Sequence, residues 1–411
     1  MIYQPKGIKK YFHQARRFLA KKWLSLWQPL RIGITGSFGK TTTTQILFKV
    51  LSQIGPTVVT DINLDTNFNV PITALKVKPW TKFVVWELGI DHLNEMDYHL
   101  EIAKPKIGII TGISPVHTDK EHLGSLENLI KEKRKLVEHL PEKKNGGVAI
   151  LNFDDENVKK MASFTKAKVV FFGTDKKNCQ VYFNPDKAKL TIKGTTFILK
   201  YKNKNYPLTT KLIGKQYGYN LCAIFACLLN VLNDPKKCYL LIKKTLKTLK
   251  PLRGRMNIEK GPLKTLLLND CLRANPKSTD EGLKTFAQIN YKKGRKIAVL
   301  GVMGELYDPI GEHKKTGQTL FEYPPDFVIG VGEWRKFTVE EAIRLGFSKE
   351  KIFYAEDVFA AAEILKKILK PADFLYLKSS LLRNLWRIIK LLGNQPVCCQ
   401  KELCPYKHCQ F

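Results

Sequence analysis

The chain has 411 residues, 44% hydrophobic and 26% charged, a composition that suits a water-soluble protein with two or three packed domains. Lysine and arginine number 69 against 37 acidic residues, a formal net charge of +32 that favours anionic partners such as nucleotides, nucleic acid or a membrane surface. No run of 18 apolar residues offers a spanning helix, and the opening MIYQPKGIKKYFHQARRFLAKKW lacks the apolar centre of a signal peptide, so a cytoplasmic protein is expected.

Residues 8 to 27 set Ile8, Tyr11, Phe12, Ala15, Phe18, Leu19, Trp23, Leu26 and Trp27 at three- and four-residue steps. Lys9, Lys10, Arg16, Arg17 and Lys21 fill most of the other face, and the segment has no acidic residue. The pattern predicts a basic amphipathic helix, packed on the domain that follows or laid against an anionic membrane surface as a peripheral contact.

From residue 31 short apolar runs of strand length (RIGIT, TKFVVWELG, KIGIITG, GVAILN, KVVFFG) alternate with helical segments such as TTTTQILFKVLSQI and SLENLIKEKRKLVEHL. This alternation predicts an α/β domain with a mostly parallel sheet. Residues 180 to 212 read as short strands with turns, and YGYNLCAIFACLLNVL as a buried helix. A second, smaller Rossmann-like α/β unit begins near Pro251, with LKTLLLND, KIAVLGVM, DFVIGVG, KIFYAE and DFLYLKSS as its strands. The expected division is therefore a helix at 1–30, a central domain at 31–249, a C-terminal domain at 250–393 and a tail at 394–411.

The central domain opens with RIGITGSFGKTTTTQIL. A strand, then Gly36-Ser37-Phe38-Gly39-Lys40-Thr41, then a helix is the arrangement in which backbone amides and a helix N-terminus cradle phosphate. Lys40 is placed to neutralise the β- and γ-phosphates of ATP, and the Thr41 hydroxyl to ligate Mg²⁺. Gly36, Ser37, Gly39 and Thr42 complete the candidate nucleotide loop. The spacing departs from GxxxxGK[ST], since position 34 is Ile and the preceding glycine is Gly33.

The loop spelling TGSFGKTTT resembles that of the Mur ligase superfamily, whose members make peptide bonds in cell-wall precursors. Further segments are similar to that family's in order: NFNVPITAL, VVWELGID, IGIITGISPVHTDKEHLGSLENLIKEKRKLVEHL, AILNFDDENV, PLRGRM, LNDCLRANPKST, IAVLGVMGELYDPIGEHKKTG and LYLKSSLLRNL. The last three resemble the branch that adds D-alanyl-D-alanine. The match runs over about residues 31 to 385. Only the basic helix stands where such ligases usually carry a separate domain for the UDP-sugar.

The resemblance implies an ATP-dependent ligase that phosphorylates a carboxylate and lets an amine displace the phosphate. Its partners would be ATP, an anionic or nucleotide-sugar peptide and an amine donor, with no nucleic acid, and the protein would act as a monomer. Glu87 and His117 would join Thr41 as Mg²⁺ ligands, His117 being preferred to His122 by its spacing from IGIITG. Lys133 would be carbamylated by CO₂, becoming an anionic metal ligand, a reaction that needs a neutral amine and hence a lowered pKa. The neighbouring Lys131, Arg134 and Lys135 are expected to help lower it. Lys40, His117 and Lys133 make the catalytic set. Asn220, Arg255, Asp270 and Asn275 would contact nucleotide, and Lys378, Ser379 and Ser380 substrate. Gln216, Leu272, Arg273 and Val302 stand where the family usually has histidine, tyrosine, asparagine and aspartate.

Two other functions fit parts of the sequence: a folylpolyglutamate or poly-γ-glutamate ligase, and a basic phosphate-loop protein that binds nucleic acid without ligase activity. The TTT after Lys40 and the ANPKS segment speak against the first, the ordered Glu87, His117 and Lys133 matches against the second. In the tail, Cys398, Cys399, Cys404 and Cys409 with His408 offer enough donors for zinc, but the adjacent cysteines and the lack of a C-x₂-C pair give poor spacing. A flexible, thiol-bearing tail is the expectation there, and free thiols elsewhere.

Overall fold

A computed structural model describes residues 7–62, 66–397, 399, 403 and 404. The chain forms two compact units. The first takes the residues up to Ala188 with Thr196–Thr209 and Gln216–Leu249, and the second takes Lys189–Thr195, Thr210–Lys215 and the chain from Lys250.

The first unit opens with helix α1 (Ile8–Ser25). Strand β1 (Leu30–Thr35), α2 (Lys40–Leu51), β2 (Thr57–Val59), α3 (Thr66–Leu75) and β3 (Phe83–Glu87) follow. Next come α4 (Glu95–Ala103), β4 (Ile107–Ile110), α5 (Leu126–Glu138), β5 (Val148–Asn152), α6 (Glu156–Lys160) and β6 (Lys168–Gly173). The short strands foreseen at 180–212 are β7 (Val181–Phe183), β8 (Lys189–Thr191), β9 (Gly194–Tyr201) and β10 (Lys204–Thr210), and helices α7 (Tyr217–Leu232) and α8 (Pro235–Thr248) close the run. The sheet order is β10-β9-β7-β6-β5-β4-β1-β3-β2, with β8 paired to β9.

Strands β2 to β7 and β1 pair in parallel, and β7 meets β9 antiparallel. β4 and β5 are buried at every position, which is why they read as continuous apolar runs rather than alternating ones. The feature that places the site is the position of β1 between β3 and β4: Ile34 lies level with Glu87 and Thr35 with Ile110. The carboxyl ends of these three strands, where ligands bind in parallel sheets, therefore sit side by side.

α1 packs on the unit, but not through the stripe that its periodicity marks as apolar. His13, Arg17, Ala20 and Leu24 are the buried positions, while Tyr11, Phe12, Phe18, Leu19 and Leu26 are exposed. Polar contacts join Ala20 and Leu24 on the covered face. The Arg17 guanidinium lies 3.2 Å from the Tyr98 ring centre and donates to the Tyr98 carbonyl at 2.6 Å, and the His13 ring bonds the Tyr98 hydroxyl at 3.0 Å.

The second unit holds a six-stranded sheet in the order β11-β12-β16-β13-β14-β15. Its elements are β11 (Asn257–Lys260), β12 (Leu266–Asp270), α9 (Pro276–Gln288), β13 (Lys296–Gly301), α10 (Pro309–Glu322) and β14 (Phe327–Val331). They continue with α11 (Arg335–Arg344), β15 (Ile352–Ala355), α12 (Val358–Ile368), β16 (Phe374–Lys378) and α13 (Trp386–Leu392). All pairings are parallel except that of the edge strand β11. Successive residues of one strand feed opposite cores: Leu267, Leu375 and Leu377 pack with α12 and α13, Leu268, Phe374 and Tyr376 with α9. Leu190, Ile192 and Ile213 join the second of these cores, the reason residues 189–195 and 210–215 belong to this unit. Among the described residues no helix is long and apolar enough to cross a membrane.

Candidate active site

The loop between β1 and α2 is pinned from beneath. Gly36 has φ +145°, and a Cβ there would meet Thr111 Oγ1 at 2.1 Å, so only glycine fits. Gly39 caps α2 in the left-handed region at φ +76°. The Ser37 N–H donates to the Gly112 carbonyl at 2.8 Å and its hydroxyl to the Ser114 carbonyl at 2.9 Å, while the Thr111 hydroxyl reaches the Phe38 carbonyl. Asn220, from α7, donates to the Gly39 carbonyl at 3.1 Å and to Thr43 Oγ1 at 2.8 Å. Both amide hydrogens of Asn220 thus hold the loop-to-helix junction. Lys40 Nζ folds back to the Gly36 carbonyl at 2.6 Å, and Thr42 lies in the first turn of α2.

Thr41 and Glu87, 46 residues apart, meet here: the Thr41 hydroxyl donates to Glu87 Oε1 at 2.8 Å. The Thr60 hydroxyl fixes the Glu87 backbone N–H at 2.8 Å. A hydroxyl and a carboxylate at the mouth of a phosphate loop are oxygen donors of the type that Mg²⁺ prefers. His117 follows β4 with φ +55°, its ring centre 5.4 Å from that of His122, which in turn lies 5.6 Å from His92. The His122 Nδ1 bonds Asp119 Oδ1 at 2.6 Å.

Lys133, on the inner face of α5, is 2% exposed. Burial is the main force holding its amine well below the usual lysine range, and the positive charge of Lys40 adds to it, while Glu95, Asp91 and Glu132 oppose. The expected help from Lys131, Arg134 and Lys135 is absent, because each turns to a carboxylate of its own. Lys131 pairs with Glu127 at 2.9 Å, Arg134 with Glu138 at 2.6 Å, and Lys135 with Asp97 at 2.6 Å and with Glu132.

Sequence reading passed over the acidic side of this pocket. Asp91, His92 and Glu95 bring ligand atoms within 4.8 Å of one another. Glu95 accepts from Asn67 at 2.5 Å and from the Asp91 and His92 N–H groups, and its carboxyl is pushed up to about 8, by burial first and by Asp91 second. Glu132 caps α4 by accepting from the Asn94 and Met96 N–H groups. The signal was present in IDHLNEMD, directly after the E-x-G strand, but its meaning depends on α4 and α5 packing together.

In the second unit Asp270 ends β12 and is buried. Lys378 donates to its Oδ2 at 2.7 Å and the Tyr376 hydroxyl at 3.1 Å. Burial raises the Asp270 carboxyl, against the lowering pull of Lys378, Tyr376 and Arg255. Asn275 is the N-cap of α9 in a capping box: its side chain accepts from the Ser278 N–H at 2.8 Å, and its own N–H donates to Ser278 Oγ at 3.1 Å. Ser379, buried beside Asp270, donates to the Ser380 carbonyl at 2.9 Å. In the tail Cys399 and Cys404 are buried free thiols, while Cys398, His408 and Cys409 lie outside the described residues, as does part of the zinc set they would form.

The model of the Mur ligase middle domain matches residues 34–228, and that of the Mur ligase glutamate ligase domain residues 254–381. The UDP-N-acetylmuramoyl-tripeptide–D-alanyl-D-alanine ligase of Escherichia coli is 28% identical over 314 residues, 76% of this chain and 66% of that protein. The enzyme of the same name from Bacillus subtilis is 27% identical over 385 residues, 92% of this chain and 79% of that one. Among solved structures, MurF from Acinetobacter baumannii superposes with a TM-score of 0.80 at 23% identity, covering 93% of this chain and 81% of its own. MurF from Thermotoga maritima, solved in complex with ADP, superposes with a TM-score of 0.76 at 21% identity, covering 93% and 84%. With two domain models matched in order, one over the phosphate loop and its carboxylate and one over the second sheet, the chain belongs to the Mur ligase family.

Proposed function

We propose that the chain is an ATP-dependent, ADP-forming carboxylate–amine ligase that adds D-alanyl-D-alanine, or a similar amine, to an anionic cell-wall peptide precursor through an acyl phosphate. A substrate carboxylate oxygen attacks the γ-phosphorus, the bond to the β-bridging oxygen breaks and ADP leaves. The amine nitrogen then adds to the acyl carbon, loses a proton, and phosphate departs as the amide forms. The observation that carries this reading is the meeting of Thr41 and Glu87 at 2.8 Å, beside a loop whose glycines leave no room for side chains. Such a reaction asks mainly for positioning and for neutralised phosphate charge.

Lys40 supplies the first positive charge. Thr41, Glu87 and His117 would hold Mg²⁺, which would supply further positive charge and so lower the repulsion between carboxylate and phosphate. The depressed basicity of Lys133 supports its carbamylation: the neutral amine bonds to CO₂ and releases a proton, turning a buried uncharged amine into an anionic ligand. Asn220 acts as a positioning residue, through the loop carbonyl that it holds. Arg255 and Asp270 are assigned to the nucleotide on the resemblance, and for Asn275 the cap bonds favour a structural part.

The test is phosphate release from ATP and Mg²⁺ with UDP-N-acetylmuramoyl-tripeptide, alone and with D-alanyl-D-alanine. Release that needs both, and falls to background in Lys40→Ala, supports the proposal. Release with neither, while ATP still binds, overturns this substrate assignment.

A further inference from the structure

α1 has two faces with opposite fates. Winding at about 100° per residue puts His13, Arg17, Ala20 and Leu24 along one line, and these are the residues that hold the helix to its unit. Trp23 adds a hydrogen bond to the Val77 carbonyl at 2.8 Å. The same winding gathers Tyr11, Phe12, Ala15, Phe18, Leu19 and Leu26 into an arc of about 120° on the opposite side. That arc is open to solvent: Tyr11 is 72% exposed, Phe12 70%, Phe18 62%, Leu19 58% and Leu26 65%. Lys9 and Arg16 border it on one flank, Lys10 and Lys21 on the other, and Lys22 stands within it. The helix contains no acidic residue.

A surface helix ordinarily turns its apolar stripe to the core. Here most of the stripe is turned away, while His13, Arg17, Ala20 and Leu24 make the inward contacts. A contiguous apolar patch of this kind marks an interaction surface. Charge selects the occupant. A second copy of the chain would bring one lysine rim against another on a protein of net charge +32, whereas an anionic surface complements it.

We propose that the outer face of α1 docks the protein onto a bilayer rich in anionic phospholipid. The helix lies in the interface plane without leaving its unit. Tyr11, Phe12, Phe18, Leu19 and Leu26 enter the headgroup–acyl boundary, and Lys9, Lys10, Lys21 and Lys22 meet the lipid phosphates. The inference stands apart from the ligase reading, since none of these residues belongs to the phosphate-loop site.

The experiment is sedimentation of the full chain with phosphatidylcholine vesicles, with and without phosphatidylglycerol. The proposal expects binding to the anionic vesicles at least about tenfold tighter than to the neutral ones, weakening as salt shortens the range of the lysine field. Replacing Phe12, Phe18 and Leu19 together by Ser should cut that binding by about a hundredfold or more, the loss expected when three embedded side chains are withdrawn. ATP-driven phosphate release and the melting temperature should stay as in the parent chain. Phe18→Ser and Leu19→Ser tested singly should each weaken binding, which keeps the proposal open to test if the triple variant does not fold. Equal sedimentation with both vesicle types, or undiminished binding by the single variants, overturns it. So does a dimer in solution that the same substitutions dissociate, since the patch would then join two copies.

Discussion

Asn220 and Glu87 show how much a single side chain contributes to the site. Asn220 gives both amide hydrogens to the start of α2, so Asn220→Ala leaves the Gly39 carbonyl and the Thr43 hydroxyl each one bond short. Two lost hydrogen bonds correspond to roughly 1–3 kcal/mol. The expected outcome is a KM for ATP raised about tenfold or more, with a smaller change in kcat, read from initial rates over a range of ATP. Glu87→Gln keeps the acceptor for Thr41 and removes the charge, so the fold should persist, by circular dichroism, while kcat drops roughly 10²–10³-fold, the scale of losing one charge-stabilising group. Lys40, Thr41 and Glu87 were legible in the sequence because the loop spelling is local and the carboxylate closes an apolar strand. The acidic lining of Asp91, Glu95 and Glu132 was not, since only the packing of α4 on α5 brings it to Lys133. The charge that presses on Lys133 was likewise misread: helix neighbours at one or two positions face elsewhere, and Lys40, remote in sequence, is the near one.

At the scale of elements, caps and helix faces decide. Asn275 closes the capping box of α9, and Asn275→Ala should lower stability by about 1 kcal/mol, the usual worth of such a cap. Asn275→Ser restores a capping oxygen and should recover most of the loss in thermal unfolding. Should both variants keep the parent's KM for ATP, the residue acts as a cap; a KM raised in both would return it to the nucleotide. Strand positions were readable because parallel strands covered on both faces leave unbroken apolar runs, as in IGII of β4 and VAILN of β5. The orientation of α1 was not readable. Periodicity reports which residues are apolar, not which face the unit covers, and on the covered face Arg17 stacks on Tyr98.

For the whole molecule, two α/β units follow from the alternation of runs and helices, but the short returns at 189–195 and 210–215 do not. Their apolar residues are too few to declare a partner before the second core exists. Stability of the second unit carries a pH signature. His313 is fully buried as the neutral ring: Nδ1 bonds the Pro309 carbonyl at 2.6 Å and Nε2 accepts the Met303 N–H at 3.1 Å. Burial, then Arg335, pushes its pKa down from 6.5 to about 3. The unfolded ring takes up its proton near 6.5 and the folded one does not. Stability that is present above that pH is therefore lost as the medium is acidified towards 3, by up to about 1.4 kcal/mol per pH unit. Urea unfolding at neutral and acidic pH should show a shallower loss in His313→Leu than in the parent, although that variant is less stable at neutral pH. Parallel loss in both would mean that the ring does not titrate with folding.

The central claim is that ATP activates a carboxylate, and isotope transfer tests it most directly. With oxygen-18 in the acyl substrate's carboxylate, the account predicts one labelled oxygen in each inorganic phosphate released as amide accumulates, and none with Lys40→Ala. Amide formed together with unlabelled phosphate would contradict it.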